Sequence, residues 1–161
     1  MILSRSVRPG GRRQAGIGMI EVLIAVLVVS IGFLGMAALQ AKALSTNNSA
    51  MARSMATIAT YSILDAMRAD LGSAESGAYT QTVTANSCSS IGSGTLAAVQ
   101  LTQWCTQLGD ALGAVASTTG TVACSATGDC TITIQFDDSR AGKAGTTGST
   151  GIQTVVTRAG L

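Results

Sequence analysis

A nearly unbroken apolar run occupies residues 16–40 and is the strongest pattern in the chain. Between Ile17 and Leu39, only Glu21 and Ser30 are polar. As an α-helix rising about 1.5 Å per residue, this run reaches roughly 35 Å, enough to cross the hydrocarbon core of a bilayer. The pattern therefore predicts a membrane-spanning helix near the N-terminus.

Beyond Leu39 the apolar residues become periodic, and no glycine or proline interrupts the chain before Gly72. Intervals of three and four residues are typical of an amphipathic helix. We therefore expect the helix to continue to about Leu71, with Gly72 as its C-cap, and its outer half to pack against a globular head. The predicted core stripe consists of Met51, Met55, Ile58, Tyr61, Leu64, Met67 and Leu71.

The stretch 72–94 is rich in Gly, Ser and Thr and predicts a loop with a short strand at 79–84. Thr95 is suited to cap a second helix. Trp104, the largest apolar side chain, is interpreted as a core anchor of that helix. The predicted buried face comprises Leu96, Val99, Trp104, Cys105, Leu108, Leu112 and Val115.

The last third of the chain predicts strands. Apolar and polar residues alternate through Ile132, Ile134 and Phe136, as in a strand with one buried face, and 152–157 resembles a final strand. The intervening 137–151 carries two aspartates, which lack the ligand cadence of a calcium loop and are interpreted as a solvated turn. The predicted fold is α+β: a long N-terminal helix, its outer half on an antiparallel sheet of three or four strands, plus a second short helix.

The basic residues indicate how the segment is oriented. Four arginines and no acid precede the apolar run, which predicts a cytoplasmic N-terminus and places everything after Gln40 on the other side of the membrane. Without these arginines, six basic and eight acidic residues remain, a net charge of −2. No nucleic-acid partner is expected from that balance. The arginines are Arg5, Arg8, Arg12 and Arg13.

All four cysteines follow the apolar run, in the compartment predicted to be oxidising, so two disulfides are expected. Three connectivities are open. We favour Cys88 with Cys105, which ties the loop to the second helix, and Cys124 with Cys130, which face each other across a predicted hairpin. Zinc is the competing use, but the chain has neither a CxxC pair nor a histidine.

The composition does not favour catalysis. The chain contains no histidine, its carboxylates are scattered, and no GxSxG or P-loop motif is present. We therefore predict that the protein is not an enzyme, and that it has no catalytic residues, cofactor or metal.

Glu21 requires an explanation, because a charge at the bilayer centre costs about 2.5 to 3.5 kcal/mol. It could lie near the end of the span and extend to the interface. Alternatively, cleavage after Gly16 would create an α-amino group at Ile17 and make Glu21 the fifth residue of the new chain. That ammonium group is a possible counter-charge.

A basic leader, a glycine, an apolar residue, a glutamate at the fifth position and an apolar helix together resemble a type IV prepilin or pseudopilin. The string MIEVLIAVLVVSIGFLGMAALQ and the later segments DAMRAD and WCTQLGDAL are similar to PilV-type minor pilins. The resemblance implies that prepilin peptidase cleaves between Gly16 and Ile17 and N-methylates Ile17. It also implies that Glu21 neutralises the N-terminal ammonium of a neighbouring subunit during assembly.

The resemblance divides the chain into a leader at 1–16, a transmembrane and assembly helix at 17–41, the amphipathic half of the long helix at 42–71 and a pilin head at 72–161. It implies a minor pilin of a type IV pilus, held in the inner membrane with a periplasmic head before it enters the fibre or its tip. Its partners would be other minor pilins, the major pilin, prepilin peptidase and the pilus assembly platform. Pilus biogenesis, twitching motility or adhesion would be its role.

Two other interpretations remain open. A minor pseudopilin of a type II secretion system has nearly the same leader and helix. Alternatively, a conventional signal peptide could end at the A-x-A sequence of residues 41–43 and release a periplasmic domain that begins at Leu44. The apolar run is longer than the 7 to 15 residues usual for a signal peptide, which argues against the second.

Overall fold

The computed structural model describes residue 16 and residues 18–125, 127–139 and 151–161. The chain divides into two compact units, one ending at Gln40 and the other spanning Ala41–Leu161. Four helical segments are described: α1 (Met19–Ala69), α2 (Leu71–Glu75), a 3₁₀ turn (Cys88–Ile91) and α3 (Leu96–Leu112). The strands are β1 (Gln81–Thr84), β2 (Thr119–Cys124), β3 (Asp129–Asp137) and β4 (Ile152–Gly160).

The four strands form one antiparallel sheet in the order β1-β2-β3-β4. Alternate residues of each strand face the core, which is why Val122 lies beside Ile132 and Ile134 beside Val155. The architecture is the predicted α+β, pilin-like fold, with a long N-terminal helix whose outer half contributes to the core of the head. The predicted alternation in β3 is confirmed, because Ile132, Ile134 and Phe136 are buried.

The end of α1 differs from the prediction. The helix stops at Ala69 because Asp70 leaves the helical conformation, with φ −128° and ψ 54°. Gly72 is therefore not a C-cap and lies inside α2. The glycine that closes the helical segment is Gly77, at φ +84°, whose N–H donates to Ala74 O while Ala78 N–H donates to Ser73 O. These two bonds make a Schellman motif.

The buried face of α1 also differs from the predicted stripe. Leu64 and Met67 are buried as expected and Met55 is half-buried, but Met51, Ile58, Tyr61 and Leu71 are exposed. Small residues on the face that packs against the head allow the helix backbone to approach the core closely. The buried positions of α1 are Ser49, Ala56, Ala59, Thr60, Ile63, Leu64 and Met67.

Helix α3 begins where predicted, since the Thr95 hydroxyl accepts a hydrogen bond of 3.2 Å from Ala98 N–H. Its predicted buried face was partly wrong. Trp104, Cys105 and Leu108 are buried as predicted and Leu112 is half-buried, but Leu96 and Val99 are exposed, as is Val115 in the following turn. The buried set is Ala97, Leu101, Trp104, Cys105, Leu108 and Gly109.

Trp104 is the core anchor that the sequence predicted. Its side chain is 2% exposed, and its indole N–H donates to Ala59 O at 2.9 Å, which fastens α3 to α1. Because a buried indole N–H needs an acceptor, this bond offsets the free-energy cost of removing the N–H from water.

The interpretation of Asp137 and Asp138 as a solvated turn is wrong for the second residue. Asp138 is only 6% exposed, and its carboxylate accepts a hydrogen bond from the Ser49 hydroxyl of α1. Asp137 remains exposed at the end of β3. The rest of that predicted turn, residues 140–150, lies outside the described residues. The predicted loop at 72–94 contains α2, β1 and the 3₁₀ turn, and the strand predicted near its centre is β1.

Candidate functional site at the N-terminal helix

Gly18 immediately precedes the first residue of α1. Its carbonyl accepts hydrogen bonds from Glu21 N–H at 2.9 Å and from Val22 N–H at 3.4 Å, so the helix begins directly after it. Gly16 precedes the helix and is exposed. Ile17, the other residue of the predicted cleavage site, lies outside the described residues.

Glu21 lies in the first turn of α1 and is exposed. The free N–H groups of a helix N-terminus favour a negative charge, which gives the carboxylate one local source of stabilisation. Within the described residues the carboxylate has no ion pair or hydrogen bond. Any cation that neutralises it in a membrane therefore comes from outside the described residues or from another molecule.

The remainder of this segment is an apolar surface. Its large side chains are all at least half exposed, and one described helix is long and apolar enough to cross a membrane. The Ser30 hydroxyl donates to Val26 O at 2.7 Å, so the helix itself satisfies this polar group. An exposed apolar surface of this size marks a membrane or protein contact. Its large members are Met19, Ile20, Val22, Leu23, Ile24, Val26, Leu27, Val28, Val29, Ile31, Phe33, Leu34, Met36 and Leu39.

In the head, all four cysteines form disulfides. Cys88 pairs with Cys105 and joins the 3₁₀ turn to α3, while Cys124 pairs with Cys130 across β2 and β3. This is the pairing that the sequence favours. Cys105 and Cys130 are buried in the core of the head, and their partners Cys88 and Cys124 are partly buried against it.

Tyr79 is the centre of a buried polar cluster in the head, which no pattern in the sequence indicated. The Tyr79 hydroxyl lies against Asp70 Oδ2, at 3.2 Å, and against Gln100 Oε1. Burial, followed by the hydrogen bond and negative charge of Asp70, raises the pKa of Tyr79 to about 12. The phenol therefore stays protonated, and its hydroxyl links the segment before β1 to Asp70, which lies between α1 and α2, and to Gln100 of α3.

The described residues contain no group of three or more His, Cys, Asp or Glu side chains placed to hold a metal ion. One concavity, of about 570 Å³, lies between Met55 of α1 and Thr102, Thr106 and Asp110 of α3. Its lining is mostly amides, hydroxyls and short apolar groups.

Comparisons of the chain with protein-family models, with curated proteins and with solved structures found no match.

Proposed function

We propose that this protein is a minor pilin, anchored in the inner membrane by α1 and then incorporated into a type IV pilus or its assembly-priming complex. The observation that carries this proposal is that the two parts of α1 differ in which side chains they expose and bury. Its first part exposes apolar side chains around one carboxylate, Glu21, and its second part supplies core residues to an α+β head. A helix of this kind suits a subunit that leaves a bilayer by exchanging lipid contacts for contacts with other helices.

Glu21 is the residue that pairs with a neighbouring subunit in the proposed assembly. Cleavage after Gly16 removes the four leader arginines and exposes an ammonium group at Ile17. In a low-dielectric helix bundle, this ammonium and a carboxylate stabilise each other strongly. The proposed pair forms between Glu21 of one subunit and the N-terminus of its neighbour, and N-methylation of Ile17 retains the positive charge.

The helix also argues against a conventional signal peptide. Residues 41–43, which have the A-x-A form, lie within α1, which continues to Ala69. Signal peptidase would have to cleave inside a continuous helix and would remove residues that precede Ser49, whose hydroxyl binds the buried Asp138. A head released at Leu44 would begin within that helix.

The proposed partners are other minor pilins, the major pilin, prepilin peptidase and the pilus assembly platform. A pseudopilin of a type II secretion system would use the same helix chemistry. The two roles differ in the machinery that incorporates the protein.

The experiment replaces Glu21 with Ala in the full chain. Membrane levels should remain unchanged, because the substitution makes the span more apolar. The amount in sheared pili should fall by about tenfold or more, since an uncompensated charge in an apolar environment costs about 2.5 kcal/mol or more. Glu75→Ala is the matched control, because Glu75 is an exposed carboxylate of α2. An unchanged level of the Glu21 variant in sheared pili would remove the counter-charge from the proposal.

A further inference from the structure

The two edges of the sheet differ in how their backbone groups are used. Along β1, the odd residues face β2, because Ala85 N–H donates to Thr118 O, so Thr82 and Thr84 point to the free edge. The Thr84 carbonyl already accepts from Ser87 N–H at 2.9 Å. This edge is therefore short, with two outward-facing residues, and one of its carbonyls is already occupied.

The β4 edge is long and open within the described residues. Gly151 O accepts from Asp138 N–H, and Leu161 N–H donates to Gly128 O, so both residues face β3. The pairing with β3 is continuous, and backbone direction alternates along an antiparallel strand. The even residues of β4 consequently direct their N–H and C=O groups away from the sheet: Ile152, Thr154, Val156, Arg158 and Gly160.

The side chains along this edge favour a particular occupant. Val156, at the centre of the nine-residue strand, is 55% exposed on the outer face. Two residues along, Arg158 is exposed beside Thr131 of β3 and has no ion pair or hydrogen bond among the described residues. A strand added to the edge would place one side chain beside Val156 and another directly opposite Arg158.

A second copy of β4 is a poorer fit than a different strand. If two β4 strands paired antiparallel about Val156, each Arg158 would face Thr154 of the other copy. Both guanidinium groups would then stay unpaired. A strand with a carboxylate at the position opposite Arg158 satisfies the same backbone groups and also pairs the charge.

From this placement, we propose that β4 is a docking edge that takes an extended strand of another polypeptide, added antiparallel, with a carboxylate opposite Arg158. The added strand bonds to the five outward-facing residues and extends the four-stranded sheet to five strands. Backbone bonds provide most of the attachment, and the Arg158 pair selects the register and the partner. This site is independent of the apolar surface of α1, and its test does not depend on pilus assembly.

The probe is a blocked peptide, GTETVTTTG, designed so that its glutamate faces Arg158 and its valine faces Val156. The matched control peptide, GTKTVTTTG, differs only in carrying lysine at that position. Each is added to the full chain in detergent micelles, and amide hydrogen exchange is followed at single residues. The glutamate peptide should slow exchange of Thr154, Val156 and Arg158 at least tenfold, whereas Val155 and Thr157, already bonded to β3, should not change.

Charge reversal then tests the selectivity. In the wild-type protein, the glutamate peptide should bind about threefold or more tightly than the lysine peptide, as expected for cross-strand charge pairs. Arg158→Glu should reverse that preference, and Arg68→Glu, a change at an exposed site on α1, should leave it as in the wild type.

Three results would overturn the proposal. One is an absence of protection at the even residues with either peptide at millimolar concentration. A second is an equal affinity for both peptides in wild type and Arg158→Glu. The third is protection of the even residues without any peptide that rises with protein concentration, which would assign the edge to a second copy of this chain.

Discussion

The indole of Trp104 lies directly over the backbone of Gly120. A Cβ atom placed on Gly120 would come within 2.4 Å of Trp104 Cη2 and 2.7 Å of Leu108 Cδ1. Both neighbours are buried, and the Trp104 indole is further held by its hydrogen bond to Ala59 O. The absence of a side chain at Gly120 is therefore what allows α3 to pack on β2.

Gly120→Ala should destabilise the head by about 1–3 kcal/mol, because the added methyl group overpacks a site whose neighbours have little space to move. Chemical denaturation in detergent, followed by tryptophan fluorescence, measures the change. Gly72→Ala is the control, because a Cβ there meets nothing within 4 Å and Gly72 lies in the short helix α2. Equal stability of the Gly120 variant and the wild type would contradict the packing described for Trp104.

The two disulfides should differ in their contributions. Cys88 and Cys105 are separated by 17 positions, and Cys124 and Cys130 by six. In the chain-entropy model, the first is worth about 3 kcal/mol and the second about 2 kcal/mol. Replacing the first pair with alanine should therefore lower the denaturation midpoint more than replacing the second. Peptide mapping without reduction checks the pairing itself, and a link from Cys88 to Cys130 would contradict it.

Tyr79 should make the head sensitive to alkali. Its pKa in the folded state is about 12, against 10.0 in the unfolded chain, so the folded state holds the phenolic proton more tightly. This contribution to stability is complete below pH 10 and is lost as the pH rises towards 12. Thermal unfolding between pH 9 and pH 11.5 should show a steeper loss for the wild type than for Tyr79→Phe. Parallel curves for the two proteins would show that Tyr79 does not contribute this sensitivity.

Local patterns in the sequence predicted much of the fold. Thr95 starts α3 because its hydroxyl can reach the N–H three residues later, a relationship contained within one turn. The alternation through Ile132, Ile134 and Phe136 identified β3 and its buried face in the same way. The Cys124 and Cys130 pairing also follows from the short turn between their strands.

Relationships between distant segments were not accessible from the sequence. The buried face of α1 runs through Ala56 and Ala59, because close approach to the head requires small residues, whereas a search for large apolar residues selects Met51 and Ile58. Asp138 was assigned to solvent because its partner, Ser49, is 89 residues away. The pattern along α1 reveals its period but not which side the head covers.

At the candidate site, too, local features could be predicted from the sequence and long-range relationships could not. The sequence alone identified Glu21 as exceptional, because a carboxylate interrupts an apolar run. The structure adds that Glu21 occupies the first turn of α1 and lacks a partner within the described residues. The open β4 edge had no local signal, since it depends on the order of strands in the sheet.

The most direct test of the account is the N-terminal sequence and intact mass of the protein recovered from membranes of cells with complete pilus and secretion machineries. We expect a chain that starts at Ile17 and is heavier by one methyl group, as cleavage after Gly16 and N-methylation require. A chain that starts at Leu44 would contradict the account, because a conventional signal peptidase would then have removed Glu21 and the apolar surface with it.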